Sequence, residues 1–166
     1  MIRLISKIFE KINKYNQKIK YDAWRSKHNI HSTFRFNGDN ILIYGEGELV
    51  IAENTYIGSL STIQLHKDCK VSIGKGCSIS HNVRIYTSSK IPDCDFSDKK
   101  NVPEKLGDII IGDYVWIGAN VFINPGVIIG DNSVIGANSV ITKDIEPFGI
   151  YGGVPAKLIR MKNINA

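Results

Sequence analysis

From Ile111 to Ile141 an aliphatic residue falls on every sixth position: Ile111, Ile117, Ile123, Ile129, Ile135 and Ile141. Gly112, Gly118, Gly130 and Gly136 follow four of these directly, and two places ahead of the next aliphatic stands a compact residue (Val115, Val121, Val127, Ser133, Ser139). A helix needs apolar residues three and four apart, and a lone strand needs strict alternation. A six-residue beat satisfies neither, so the chain is a repeat array before it is anything else. The beat predicts a prism with three flat strands per coil, each unit supplying one short strand and one corner. The aliphatic and the compact residue both point inward. Corners demand backbone angles that Gly adopts freely and Asn comparatively well, and Asn82, Asn120, Asn132 and Asn138 fall there. Stacked coils then bury one continuous aliphatic column.

The beat extends upstream through Ile85, Ile79 and Ile73, and more loosely through Ile63, Ile57 and Ile51, with a register slip over 65–71. It fails over 87–107, a polar stretch with Pro92 and Pro103 that is expected to be a loop extruded from one corner. The organisation this predicts is an N-terminal cap over 1–40, repeat coils over 41–146, and a tail with a short basic helix (Ala156–Lys162) over 147–166. In the cap, Ile2, Ile5, Ile8, Phe9 and Ile12 recur near helical spacing among lysines. This amphipathic stripe is expected to cover the open end of the prism. Attachment to a membrane surface is the second reading that its charge allows.

At 166 residues, 43% hydrophobic and 22% charged, the chain has the profile of one soluble domain, neither disordered nor membrane-spanning. Its net charge of +5 suits an anionic partner. Charges interrupt the first twenty residues, so no secretory apolar core is expected there. Cys69, Cys77 and Cys94 show no metal-type spacing. A cytoplasmic protein is expected, with Cys69 and Cys77 as core filler and Cys94 as an exposed loop thiol.

The run IIIGDYVWIGANVFINPGVIIGDNSVIGANSVITKDI and the closing GGVPAKLIR resemble the hexapeptide-repeat acyltransferases, over about two-thirds of the chain. Among these the chain is most similar to sugar O-acetyltransferases of the galactoside, maltose and capsule type. The resemblance implies an all-β fold, a left-handed parallel β-helix of hexapeptide repeats. It also implies a homotrimer, acetyl-CoA as acyl donor in grooves between prisms, a sugar or saccharide acceptor, and no nucleic-acid partner. Residue by residue, it implies that Ala119 and Ala137 line the pantetheine groove, that Thr142 and Lys143 stand near the cofactor, and that Lys157 and Arg160 meet its phosphates.

The catalytic position departs from the galactoside and maltose pattern. Where those enzymes carry His in a Gly-His-Pro context this chain has Lys90, and an ordinary lysine ammonium is a poor base at neutral pH. The unit Ile79-Ser80-His81-Asn82 instead resembles one in the lipid A and bacillosamine acyltransferases, whose His is the general base. His81 is therefore the expected base, and imidazole suits that task. Asp93 and Asp95 in the extruded loop are candidates to orient His81 or to bind sugar hydroxyls, and Asp68, within the register slip, lies near a position at which the resembled galactoside enzymes contact substrate. Trp116 is a candidate to stack on a ligand or to pack on another subunit.

The expected reaction is O-acetylation of a sugar in capsule or lipopolysaccharide synthesis, by direct attack on the thioester. An N-acetyltransferase acting on a nucleotide-linked amino sugar and a non-catalytic scaffold of the same fold are the alternatives. No metal is expected, because a carbonic-anhydrase-type zinc site needs three converging His ligands and only His66 and His81 lie in the coils.

Overall fold

The computed structural model describes residues 2–99 and 101–164; Met1, Lys100, Asn165 and Ala166 of the segments delimited above lie outside them. Among the described residues three sheets of five, seven and five strands, parallel except for the last strand of the seven, form the walls of a prism, and each turn of chain visits all three. Wall A holds Glu48–Ile51, Lys70–Ile73, Ile109–Ile111 and Ile128–Ile129. Wall B holds Tyr56–Gly58, Ser78–Ile79, Trp116–Ile117 and Val134–Ile135. Wall C holds Leu42–Gly45, Thr62–Leu65, Arg84–Tyr86, Phe122–Ile123 and Val140–Ile141. The first coil begins at Asn29–Ile30, which pairs with Val50–Ile51, and continues through Arg35–Asn37 on wall B. Ile30 and Phe36 keep the six-residue spacing there, with an aromatic in place of an aliphatic.

Strands only two to four residues long survive because both neighbouring coils supply hydrogen bonds and their side chains fill one dry column. Ile79, Ile117 and Ile135 stack on wall B, Ile85, Ile123 and Ile141 on wall C, and all are essentially inaccessible to solvent. The second inward position holds compact residues, several of them polar. Each hydroxyl there is satisfied by a backbone carbonyl: Thr55 donates to Gly74 at 2.7 Å, Ser133 to Gly130 at 2.7 Å, and Ser139 to Gly136 at 2.7 Å. No buried side-chain polar atom among the described residues lacks a partner. Cys69 and Cys77 are buried, as core filler should be.

The corners explain the asparagines. Asn82, Asn120 and Asn138 adopt φ of 54° to 59°, a left-handed conformation that Asn tolerates better than most residues. They also form a ladder between coils, Asn82 Nδ2 donating to Asn120 Oδ1 and Asn120 Nδ2 to Asn138 Oδ1, each at 2.9 Å.

Three expectations are corrected. Ala156–Met161 is a strand, not a helix; it pairs antiparallel with Gly149–Gly153 and closes wall B. Its composition suits a helix, but the free edge of Gly149–Gly153 offers a ladder of hydrogen bonds, and tertiary pairing overrides propensity. The stripe of α1 (Ile2–Lys27) does not cover the prism: Ile2, Ile5, Ile8, Phe9 and Ile12 are all exposed, and no residue of α1 is fully buried. The cap is made by the last turns of α1, where Tyr21 stacks on Phe36 (4.2 Å between centroids), its hydroxyl donates to the Gly38 carbonyl at 2.8 Å, and Arg25 donates to the Phe34 carbonyl at 2.6 Å. Cys94 is half-buried, its Sγ lying 3.1 Å from the Ile91 carbonyl oxygen.

Two prism edges as the candidate functional site

The edge between walls B and C carries the first group. The register Trp116↔Ser78 and Ile117↔Ile79, continued by Trp116↔Val134 and Ile117↔Ile135, stacks His81, Ala119 and Ala137 in one corner column. Backbone bonds hold it: the Asn120 amide donates to the His81 carbonyl at 3.0 Å, and the Asn138 amide to the Ala119 carbonyl at 2.8 Å. The pairing Ile135↔Tyr151 carries the column on to Gly153, beside Lys157, which pairs with Gly152. His81 to Gly153 is three coil steps, roughly 14 Å at ordinary inter-strand spacing. Below His81 in this column stand Ala119, Ala137 and Gly153, small residues that leave a shelf.

His81 is exposed, and its imidazole has no hydrogen-bond partner among the described residues. Its ring leans on the preceding coil. A Cβ added to Gly58 would lie 2.8 Å from His81 Nδ1, so glycine at 58 is what gives the imidazole its seat. Lys157 and Arg160 are both exposed on the last strand, with Arg160 paired to Ile150 and donating to the Met161 carbonyl at 3.1 Å. Trp116 projects from wall B, 58% exposed, between Ser78 and Val134.

The edge between walls C and A carries the second group. Here the 87–107 segment is a hairpin, Ser88–Lys90 paired antiparallel with Glu104–Leu106. Gln64 anchors its base, donating to Ser88 Oγ at 2.6 Å and accepting the Ser88 amide at 3.1 Å. Lys90 Nζ donates to Glu104 Oε1 at 2.6 Å. Lys90 is therefore an ion-paired strut of the hairpin, a poor position from which to accept a proton. Thr142 and Lys143 follow Val140–Ile141 at this edge, beneath Asn124 and Pro125, which border the cleft under the hairpin. Asp68 is exposed in the turn above it. Asp93 and Asp95 are exposed near the hairpin tip, and Asp95 accepts the Ser97 amide at 2.8 Å, a bond that holds its carboxyl below the usual range.

The structure thus brings together His81, Ala119 and Ala137 in one column that ends at Gly153, with Lys157 one position back from that end and Arg160 opposite Ile150 on wall B, in register with Trp116 and Val134. It sets Thr142, Lys143, Asp68, Asp93 and Asp95 on a different edge, and no side-chain hydrogen bond or ion pair among the described residues joins any of these to His81. Two residues not singled out from sequence stand at the hairpin: Glu104, and half-buried His66, whose Nδ1 accepts the Asp68 amide at 3.3 Å and lies 3.8 Å from the Asp68 carboxylate. A His-x-Asp spacing inside the register slip over 65–71 was the available signal. Among the described residues no group of three or more His, Cys, Asp or Glu side chains is gathered to hold a metal ion.

The Lys90 hydrogen bond and charge hold the Glu104 carboxyl below its ordinary value. A carboxylate depressed in the folded state stabilises above its unfolded value and loses that contribution as pH falls through the folded one. Amide protection in 88–90 and 104–106 should therefore weaken as pH falls below about 4, and Lys90→Met should abolish that dependence in hydrogen exchange. An identical profile in the variant would show that the pair does not hold the hairpin.

Comparison with known proteins agrees with this architecture. Residues 108–143 match the family described as bacterial transferase hexapeptide (six repeats). The chain is 40% identical over 131 residues to a polysialic acid O-acetyltransferase of Escherichia coli O1:K1 / APEC, a match covering 79% of this chain and 42% of that protein. This chain therefore spans less than half the length of that relative. The crystal structure of the polySia specific acetyltransferase NeuO superposes with a TM-score of 0.66 at 33% identity, covering 82% of this chain and 64% of that one. A galactoside acetyltransferase crystallised in complex with coenzyme A superposes with a TM-score of 0.52 at 31% identity, covering 80% and 67%. Six-residue coils, asparagine corners and these matches have one source: the chain belongs to the bacterial hexapeptide-repeat transferase family, whose coils wind as a left-handed parallel β-helix.

Proposed function

We propose that the chain is an acetyl-CoA-dependent O-acetyltransferase that esterifies a sugar hydroxyl in polysaccharide synthesis, with His81 as the general base. The observation that carries this reading is the single corner column: an unpartnered imidazole at one end, a shelf of small residues below it, and two exposed cations on the strand that closes wall B, Lys157 beside the end of the column and Arg160 three residues further along. A thin acyl carrier laid along Ala119 and Ala137 puts its thioester toward His81 and its phosphates toward Lys157 and Arg160. The relatives named for polysialic acid O-acetylation support a saccharide acceptor, and the galactoside enzyme crystallised with coenzyme A supports the donor.

The chemistry asked of the chain is modest. His81 takes the proton of the acceptor hydroxyl as its oxygen attacks the thioester carbonyl carbon. The carbon–sulfur bond then breaks, and the imidazolium returns the proton to the departing thiolate. No covalent acyl-enzyme is needed, and half-buried Cys94 takes no part. A correctly placed base contributes roughly 10²–10⁴-fold, and positioning much of the rest.

Two edges of one prism point in different directions, so a groove holding both groups requires a second copy. In the homotrimer we infer, the His81 edge of one chain faces the hairpin edge of its neighbour, and Thr142, Lys143, Asp68, Asp93 and Asp95 reach donor and acceptor across that interface. The cytoplasm, which supplies acetyl-CoA, is the compartment this reading implies.

The test is acetyl transfer from acetyl-CoA to a panel of saccharides and amino sugars, with product linkage read by NMR. Amide products alone would favour N-acetylation, and failure to bind coenzyme A in calorimetry would end the proposal. Lys157→Ala combined with Arg160→Ala should raise KM for acetyl-CoA by about tenfold or more while kcat stays within about threefold, since charge-assisted contacts to remote phosphates bind ground and transition states alike. An unchanged KM would remove the phosphate role.

A further inference from the structure

The free face of α1 has no task in the transfer reaction, and its chemistry is specific. Gln17, Tyr21, Trp24 and Arg25 are its half-buried residues and lie on the side that docks against the prism. At about 100° per residue, the line Ile5–Ile12–Ile19 lies roughly 160° away from them. The stripe of Ile2, Ile5, Ile8, Phe9, Ile12 and Ile19, all 46% or more exposed, therefore faces away from its own chain. Lys11 and Lys18 stand on one side of it and Lys20 on the other, whereas Lys7 and Lys14 lie on the side of Tyr21 and Arg25, Lys14 beside Asp39. Residues 2–20 carry six cations against the single acid Glu10.

We propose that α1 is a docking surface for an anionic lipid bilayer, lying in the plane of the interface with its isoleucines and Phe9 in the acyl boundary and its lysines among lipid phosphates. A wide apolar face bordered by cations with long alkyl stems matches an interfacial helix. α1 does not span: no helix among the described residues is long and apolar enough to cross a membrane. Charge also decides against a second copy as the occupant. If Ile5, Ile12 and Ile19 formed the a positions of a parallel coiled coil, with Ile8 and Tyr15 at d, the flanking g positions would be Leu4, Lys11 and Lys18 and the e positions Phe9 and Asn16. Such a coil would set the g lysines opposite e positions that hold no acid to pair them, where coiled coils place complementary charges. An anionic surface complements the same lysines at each position. The geometry leaves the prism beside the bilayer, where an acceptor carried on a lipid would be delivered, although docking does not depend on the proposed activity.

Co-sedimentation of the full chain with vesicles tests this. Binding should be strong to phosphatidylcholine containing about 30 mol% phosphatidylglycerol, negligible to phosphatidylcholine alone, and lost between about 50 and 500 mM salt. The triple variant Lys11→Glu, Lys18→Glu, Lys20→Glu should bind the anionic vesicles about 100-fold more weakly, and Ile5→Ser with Ile12→Ser at least about tenfold more weakly, both with the thermal midpoint and hydrodynamic size of the parent. Failure of the parent to sediment with anionic vesicles would overturn the proposal, as would binding indifferent to lipid charge. An Ile5→Ser, Ile12→Ser variant that changed assembly mass yet kept full vesicle binding would overturn it too, because the stripe would then be a contact between copies. None of these readouts uses acetyl transfer, so this inference and the proposed activity stand or fall separately.

Discussion

His81→Gln should lower kcat by about 10²–10⁴-fold, roughly 3–5 kcal/mol of transition-state stabilisation, while acetyl-CoA still binds with near-normal affinity. The selectivity follows from position. His81 stands at one end of the corner column, and the alanine shelf and the Lys157–Arg160 end are untouched by the change. Because its side chain makes no hydrogen bond among the described residues, glutamine disturbs no network there, and because it is exposed it leaves no core cavity. The fold should melt as the parent does. Lys90→Met is the matched comparison: it breaks the Lys90–Glu104 pair and should leave kcat within about fivefold, since an ion-paired ammonium is not the base. Steady-state kinetics on both variants separates the assignments. If His81→Gln turned over like the parent and Lys90→Met did not, the base would lie at the hairpin edge, where His66 and Asp68 also stand.

The second large effect is structural. Ile117→Ala should destabilise the chain by about 3–4 kcal/mol and lower the thermal midpoint by about 10 °C. Ile117 is fully buried, with Ile79 and Ile135 in the coils on either side of it. A repeat coil cannot slide to refill the gap, because its strands are pinned by ladders on both sides and the Asn82–Asn120–Asn138 corner fixes their spacing. Most of the cavity should persist, which places the cost toward the upper part of the usual range. Thermal denaturation followed by circular dichroism is sufficient, and a drop of less than about 2 °C would mean that the column is not the stabilising core.

Between Ile73 and Ile141 the fold was legible because a six-residue period admits one economical packing, and the inward set matches the buried residues almost position by position. His81, Ala119 and Ala137 were legible as separate motif positions. That they form one column follows from a register in which 38 residues separate His81 from Ala119 but 18 separate Ala119 from Ala137, since the hairpin interrupts only the first interval. Composition also misled at both ends. The segment 156–162 contains good helix formers, yet the free strand edge beside it decided otherwise. The α1 stripe looked like a cap because periodicity reports which face is apolar and not what that face meets; Tyr21 and Trp24, on the opposite side, made the contact instead.

Local chemistry written along the chain was enough to dictate a triangular stack, because spacing, corner residues and inward volumes are properties of neighbours within a few positions. Which edge each reactive group occupies, that Lys90 is bound to Glu104, and that the isoleucines of α1 face outward are relations between residues many positions apart. Such relations arise only when coils close on one another and each hydrogen-bond donor selects its partner in space, so no reading of consecutive letters contains them.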